Sequence, residues 1–120
     1  MTSFYNQHIL RLPIEQWPEP ILRTFKHLNK PLYTLMQGPS EMGASGRLVN
    51  WDRFNDLKRI TIPTLVVSGK YDTMDPAYMA AMAKQLPKGE LAATNGGHMD
   101  MYDDQPTYFA KLIAFLRKFK

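Results

Sequence analysis

Cysteine is absent from this 120-residue sequence, so neither a disulfide framework nor a thiolate metal site can form. That absence fits a reducing compartment. Long apolar runs are missing as well, and none approaches the ~20 residues that cross a bilayer. The first residues, Met-Thr-Ser-Phe-Tyr-Asn-Gln-His, lack the basic-then-apolar order of a signal peptide. The expectation is a soluble cytoplasmic protein without a membrane partner. There is no basic stripe interleaved with aromatics of the kind single-stranded nucleic acid requires, which argues against a nucleic-acid partner. The formal charge of +4 comes from 15 basic and 11 acidic residues. Part of it sits at Arg117, Lys118 and Lys120, where a helix C-terminus favours cations. Neither repeats nor low-complexity tracts occur. A hydrophobic content of 44% against 22% charged residues instead argues for one folded domain with a modest core.

The pattern changes near residue 60. Before it, short helical periodicities are interrupted by prolines: Ser3 to Leu12, Glu19 to Leu28 after the Trp17-Pro18-Glu19-Pro20 corner, and Leu32 to Met36. A turn-rich stretch, 37–46, and a short segment around Trp51 to Ile60 follow. Phe4, Ile9, Leu22, Phe25 and Leu28 have helical spacing, yet no segment is long enough to form a core alone. Residues 1–50 therefore read as part of a helical cap.

Residues 51–120 read as strand, helix, strand, helix. Thr64-Leu65-Val66-Val67 is continuously apolar and β-branched, as in a parallel strand buried on both faces, and Pro63 can only precede it. Asp75-Pro76 supplies an N-cap and a proline for the first helical position. That helix should run to Leu86, where Pro87 and Gly89 stop it. Glu90 to Thr94 predicts a second, weaker strand. Gln105 to Phe119 predicts an amphipathic helix with Tyr108, Phe109, Leu112, Phe115, Leu116 and Phe119 facing inward. Two such strands need neighbours. The fold class is thus α/β but incomplete, with exposed apolar surface and self-association expected along the Thr64–Val67 edge.

In open α/β sheets, ligands bind beyond the carboxyl ends of the strands. Asp72 follows the first strand through Gly69-Lys70-Tyr71, and His98 follows the second through Gly96-Gly97. Loops leaving one edge of adjacent parallel strands can bring the two side chains together. A carboxylate accepting from imidazole Nδ1–H fixes the tautomer in which Nε2 acts as general base. The duller readings are a turn-closing Asp72 and an ordinary loop histidine at position 98. Asp75 is better placed than Asp72 to cap the following helix, which leaves Asp72 for another role. His98, Asp100, Asp103 and Asp104 lie close enough in sequence to suggest a metal site. Acids opening a helix explain that cluster through the dipole, and no metal is expected.

Here a resemblance becomes specific. "IPTLVVSGKYDTMDP" and "NGGHMDMYDDQPTYFAKLIAFL" resemble the last two strand–loop–helix units of α/β-hydrolases, and "YTLMQGPSEMGASGRLVNWDR" resembles the cap of proline iminopeptidases. It extends from Phe4 to the final helix and implies the C-terminal part of an α/β-hydrolase preceded by a helical cap segment. It implies a serine peptidase releasing N-terminal proline, or another N-terminal residue, from peptides or small amides, with no cofactor. By the same resemblance Asp72 is the triad acid, His98 the base, and Glu41 the carboxylate holding the substrate's α-amino group. Glu15 and Glu19 are further amine-binding carboxylates to consider, and Glu41 as a plain turn acid stays open.

The family's Gly-x-Ser-x-Gly nucleophile elbow is not in the sequence. Gly43-Ala44-Ser45-Gly46 lacks its spacing, and no strand precedes it. Ser3, Ser40 and Ser68 have no elbow context either. The expectation is a C-terminal portion whose partner is the missing N-terminal half, inactive on its own. Two rivals remain: a hydrolase of another ester or amide, and a non-catalytic binding remnant.

Overall fold

The computed structural model describes residues 2–120 and divides into two compact units. One takes in the chain up to Leu12 together with Arg53–Lys120, and the other is Pro13–Asp52. The first dozen residues, expected with the cap, instead group with the later half. Main-chain hydrogen bonds account for this: His98 N–H donates to the His8 carbonyl and Met99 N–H to that of Ile9, each at 2.7 Å.

In the larger unit, helix α1 (Thr2–Phe4) runs into a π-helical turn, Tyr5–Ile9, and Ile9 and Leu10 are almost fully buried. In Pro13–Asp52, a 3₁₀ turn at Ile14–Gln16 leads to α2 (Glu19–His27). Trp17 and Ile21 are buried there, and the Trp17 ring lies 5.7 Å from that of Phe25. Helix α3 (Lys30–Met36) starts where the Asn29 side chain accepts from Leu32 N–H, with Pro31 in its first turn. Its final carbonyls would be left without intrahelical donors. The chain turns back so that Ser45 and Gly46 donate to Gln37, Arg47 to Leu35, and Leu48 to Met36. Ser45, the serine nearest to an elbow pattern, belongs to this helix-ending loop.

A 3₁₀ segment, Phe54–Arg59, precedes strand β1 (Thr64–Gly69), and β1 pairs in parallel with β2 (Gly89–Thr94). Helix α4 (Pro76–Gln85) connects them, started by the Asp75 side chain accepting from Ala77 N–H at 2.9 Å. Val66, Ala83 and Leu86 form a buried cluster, with Leu57 and Met79 packed against it. Burying each larger aliphatic side chain contributes ~1.5–3 kcal/mol, so this face fixes α4 on the sheet. A single turn, α5 (Asp100–Asp103), leads into α6 (Gln105–Arg117).

The strands are less enclosed than their composition suggests. Within β1, Val66, Ser68 and Gly69 are buried and the rest half-buried. In β2, Ala92 and Thr94 are buried while Leu91 and Ala93 are exposed. Along α6, Tyr108, Leu112 and Phe115 are half-buried, but Phe109, Leu116 and Phe119 face solvent. The reason is width. Two strands lie about 4.8 Å apart whereas a helix with its side chains is ~10 Å across, so part of the apolar stripe overhangs. In the larger unit, exposed apolar side chains thus include Ile60 and Ile62 just before β1, Leu91 of β2, and Phe109, Ile113 and Leu116 of α6, while Leu65 and Val67 of β1 are half-buried. Among the described residues, no helix is long and apolar enough to cross a membrane.

Candidate active site

Register places the site. Thr64 pairs with Gly89 and Gly69 with Thr94, so both strands end level and their loops leave the same edge. Main-chain bonds then join the loops to each other: Lys70 N–H donates to Thr94 and Tyr71 N–H to Gly96, both at 3.0 Å. This approach depends on glycine. A Cβ at Gly69 would stand 2.4 Å from the Gly97 carbonyl oxygen and 2.5 Å from that of Gly96. A Cβ at Gly97 would stand 2.7 Å from the His8 carbonyl oxygen.

Asp72 and His98 meet across these turns, with Nδ1 of His98 2.9 Å from Oδ1 of Asp72. The same carboxylate oxygen accepts from Met74 N–H at 3.0 Å and from the Thr73 hydroxyl at 3.3 Å. Asp72 thus both closes its turn and holds the imidazole. Burial pushes its carboxyl upward. The bond from His98, the Met74 N–H, the charge of His98 and the Thr73 hydroxyl outweigh burial and keep the group below the ordinary carboxylate value. The Asp72 side chain is 9% exposed and that of His98 35%, so the acid is covered while the ring reaches the surface. With the proton on Nδ1 donated to a carboxylate, Nε2 is the basic nitrogen of the neutral ring.

The acids following His98 each have a specific partner in addition to standing at a helix opening. Asp100 accepts from the Thr94 hydroxyl at 2.8 Å, and Asp103 from the N–H groups of Gly97 and Arg11. Asp104 accepts from Asn95 N–H at 2.7 Å, which lowers its pKa. These acids fasten the histidine loop. Asp100 is buried, and burial, with added repulsion from Asp72 and Asp103, raises its carboxyl despite the Thr94 bond. Among the described residues, no group of three or more His, Asp or Glu side chains is placed to hold a metal ion.

Glu41 lies in the Pro13–Asp52 unit, in the turn after α3, where it is half-buried and accepts from the Tyr33 hydroxyl at 2.5 Å. Glu15 is exposed on its 3₁₀ turn, and Glu19 forms an open ion pair with Arg23 in α2. Tyr33, Asp100 and Asp103 were not legible as neighbours of the expected residues. Tyr33 stands eight positions from Glu41 on another element, and the DMYDD run reads first as a helix opening.

No family model matches the chain. Curated relatives are named proline iminopeptidases. That of Flavobacterium johnsoniae is 48% identical over 117 residues, which are 97% of this chain and 39% of the relative. That of Chitinophaga pinensis is 45% identical, over 96% of this chain and 39% of its own length. That of Saccharolobus solfataricus is 35% identical, over 94% and 36%. The chain thus spans about two fifths of the relatives it matches, in their C-terminal part. The crystal structure of VinJ superposes with a TM-score of 0.89 at 27% identity, over 98% of this chain and 40% of that one. A proline iminopeptidase of Mycobacterium smegmatis superposes at 0.86 and 23% identity, over 97% and 39%, which shows the fold. The fold is that of the C-terminal part of an α/β-hydrolase.

Proposed function

We propose that this chain, which resembles the proline iminopeptidases over about two fifths of their length, supplies the acid and base of a serine-type aminopeptidase. The observation that carries the reading is the 2.9 Å bond between Asp72 and His98 at the ends of adjacent parallel strands. Asp72 holds His98 in the tautomer with the proton on Nδ1. Nε2 then removes the proton of a serine hydroxyl as that oxygen attacks the substrate carbonyl. The imidazolium, stabilised by Asp72, returns the proton to the leaving amine, and water hydrolyses the acyl-enzyme by the same route. The serine belongs to a portion carrying the nucleophile elbow, since this sequence has none. Glu41 pairs with the free α-ammonium group of the substrate, the one feature that separates a chain end from an internal bond. The Tyr33 hydroxyl orients that carboxylate. The partners in this reading are a peptide or small amide substrate, the elbow-bearing portion, and second copies meeting through exposed α6 side chains.

The test is a chimera in which this chain replaces the corresponding C-terminal part of the Flavobacterium johnsoniae relative. Glu41→Gln should weaken use of proline anilide by roughly 30-fold or more, because losing one partner of such a pair costs ~2–5 kcal/mol. Hydrolysis of a simple ester should be spared. Equal use of proline anilide and its N-acetyl form by the unmutated chimera would remove the aminopeptidase assignment and leave a hydrolase of another amide or ester.

A further inference from the structure

We infer that His8 is a positioning residue that locks the acid turn to the base turn and so keeps His98 in its Nδ1–H tautomer; this rests on the proposed pairing of Asp72 with His98. His8 stands 90 positions before His98 and touches both turns. Its carbonyl accepts from His98 N–H at 2.7 Å. Its Nδ1 lies 2.8 Å from the carbonyl oxygen of Tyr71, the residue before Asp72. A carbonyl can only accept, so Nδ1 of His8 carries the proton of this contact. One residue therefore grips the histidine turn by its backbone and the aspartate turn by its side chain.

The surrounding segment reinforces that grip. Ile9 carbonyl accepts from Met99 N–H at 2.7 Å, and the Arg11 guanidinium sits 3.6 Å over the Tyr71 ring. The Phe4 ring lies 5.1 Å from that of His8 and restricts its rotamer. The side chain's contribution is separable from the fold. The backbone bonds of His8 do not depend on its imidazole, and Tyr71 N–H stays tied to Gly96 without it. What the imidazole adds is the orientation of the Tyr71–Asp72 peptide. A tilt there moves the carboxylate against a ring that needs a bond near 2.9 Å.

The donor's position decides which replacements work. Asparagine carries its amide nitrogen at the same branch point as Nδ1, whereas glutamine carries it one bond further out. The readout is the tautomer of His98 in the 120-residue chain, taken from long-range proton–nitrogen correlations of the imidazole rings. Wild type and His8→Asn should show His98 protonated at Nδ1, with its hydrogen-bonded proton visible. His8→Gln and His8→Ala should lose that proton signal and shift the ring toward Nε2–H, with far-ultraviolet circular dichroism unchanged. Asp72→Asn serves as control. If it abolishes the signal while His8→Gln and His8→Ala retain it, the pair stands and the role of His8 is overturned. A wild type without the signal overturns the pair and this inference together. Should the Gln and Ala variants not fold, a scalar coupling between His8 Nδ1–H and the Tyr71 carbonyl carbon in wild type supports the lock, and its absence overturns it.

Discussion

Gly69→Ala tests whether close contact between the two loops is a condition of the site. Gly69 ends β1 opposite Thr94, and the added methyl would lie 2.4 and 2.5 Å from two backbone oxygens, those of Gly97 and Gly96. Ordinary van der Waals contact begins about 1 Å further out. Neither oxygen can move alone. Gly96 is bonded to Tyr71 N–H, and the Gly97 amide is bonded to Asp103. Relief must separate the loops, which strains the Tyr71–Gly96 bond and pulls Asp72 from His98. Overpacking of this kind costs about 1–3 kcal/mol. Confinement by backbone on both sides places this site near 3 kcal/mol, a large share of a domain's ~5–15 kcal/mol. With a urea slope of ~1.5–2 kcal/mol/M, the unfolding midpoint should fall by roughly 1.5–2 M. Equilibrium urea unfolding of the 120-residue chain measures it. A midpoint within about 0.3 M of wild type would refute the steric argument.

Three further outcomes are expected. Asp75→Asn should change the urea midpoint little, since asparagine is an equally good N-cap for α4; a loss above about 1 kcal/mol would show a second role. Asp100 has its pKa raised above the ordinary 3.8, so the folded state binds its proton more tightly and this group's contribution falls as pH rises through the folded value. Asp100→Asn, which keeps an acceptor for Thr94, should therefore gain on wild type as pH rises through that window; parallel urea midpoints across pH would contradict this. For Asp72, whose pKa is lowered, stability is lost as pH falls through the folded value. Leu116→Glu with Phe119→Glu should reduce concentration-dependent self-association in light scattering, because both side chains are exposed on or beside α6; unchanged association would place the contact elsewhere.

What could be read beforehand followed from local chemistry. Asp75-Pro76 marks a helix start from two residues, and Thr64–Val67 marks a strand from β-branching, so the βαβα order and the relation of Asp72 to His98 were accessible. Depth of burial was not. The stripe on α6 shows which face is apolar but not how wide a sheet it meets, and Phe109, Leu116 and Phe119 exceed the width of two strands. Long-range anchoring was equally hidden. Nothing in "YNQHIL" marks His8 as a partner of Tyr71, 63 positions away, and backbone pairing placed it there. Asp103 is similar, because its partners, Gly97 and Arg11 N–H, carry no side-chain signal.

The most direct measurement is turnover of proline anilide by the chimera described above, compared with Asp72→Asn and His98→Ala in the same protein. The account expects turnover by the chimera and a fall of about four orders of magnitude on Asp72→Asn; that figure is the loss in the serine-protease template, where the amide leaves the geometry but not the tautomer. His98→Ala should fall at least as far. A folded chimera without turnover, or one that keeps its rate after His98→Ala, would contradict the assignment of acid and base to this pair.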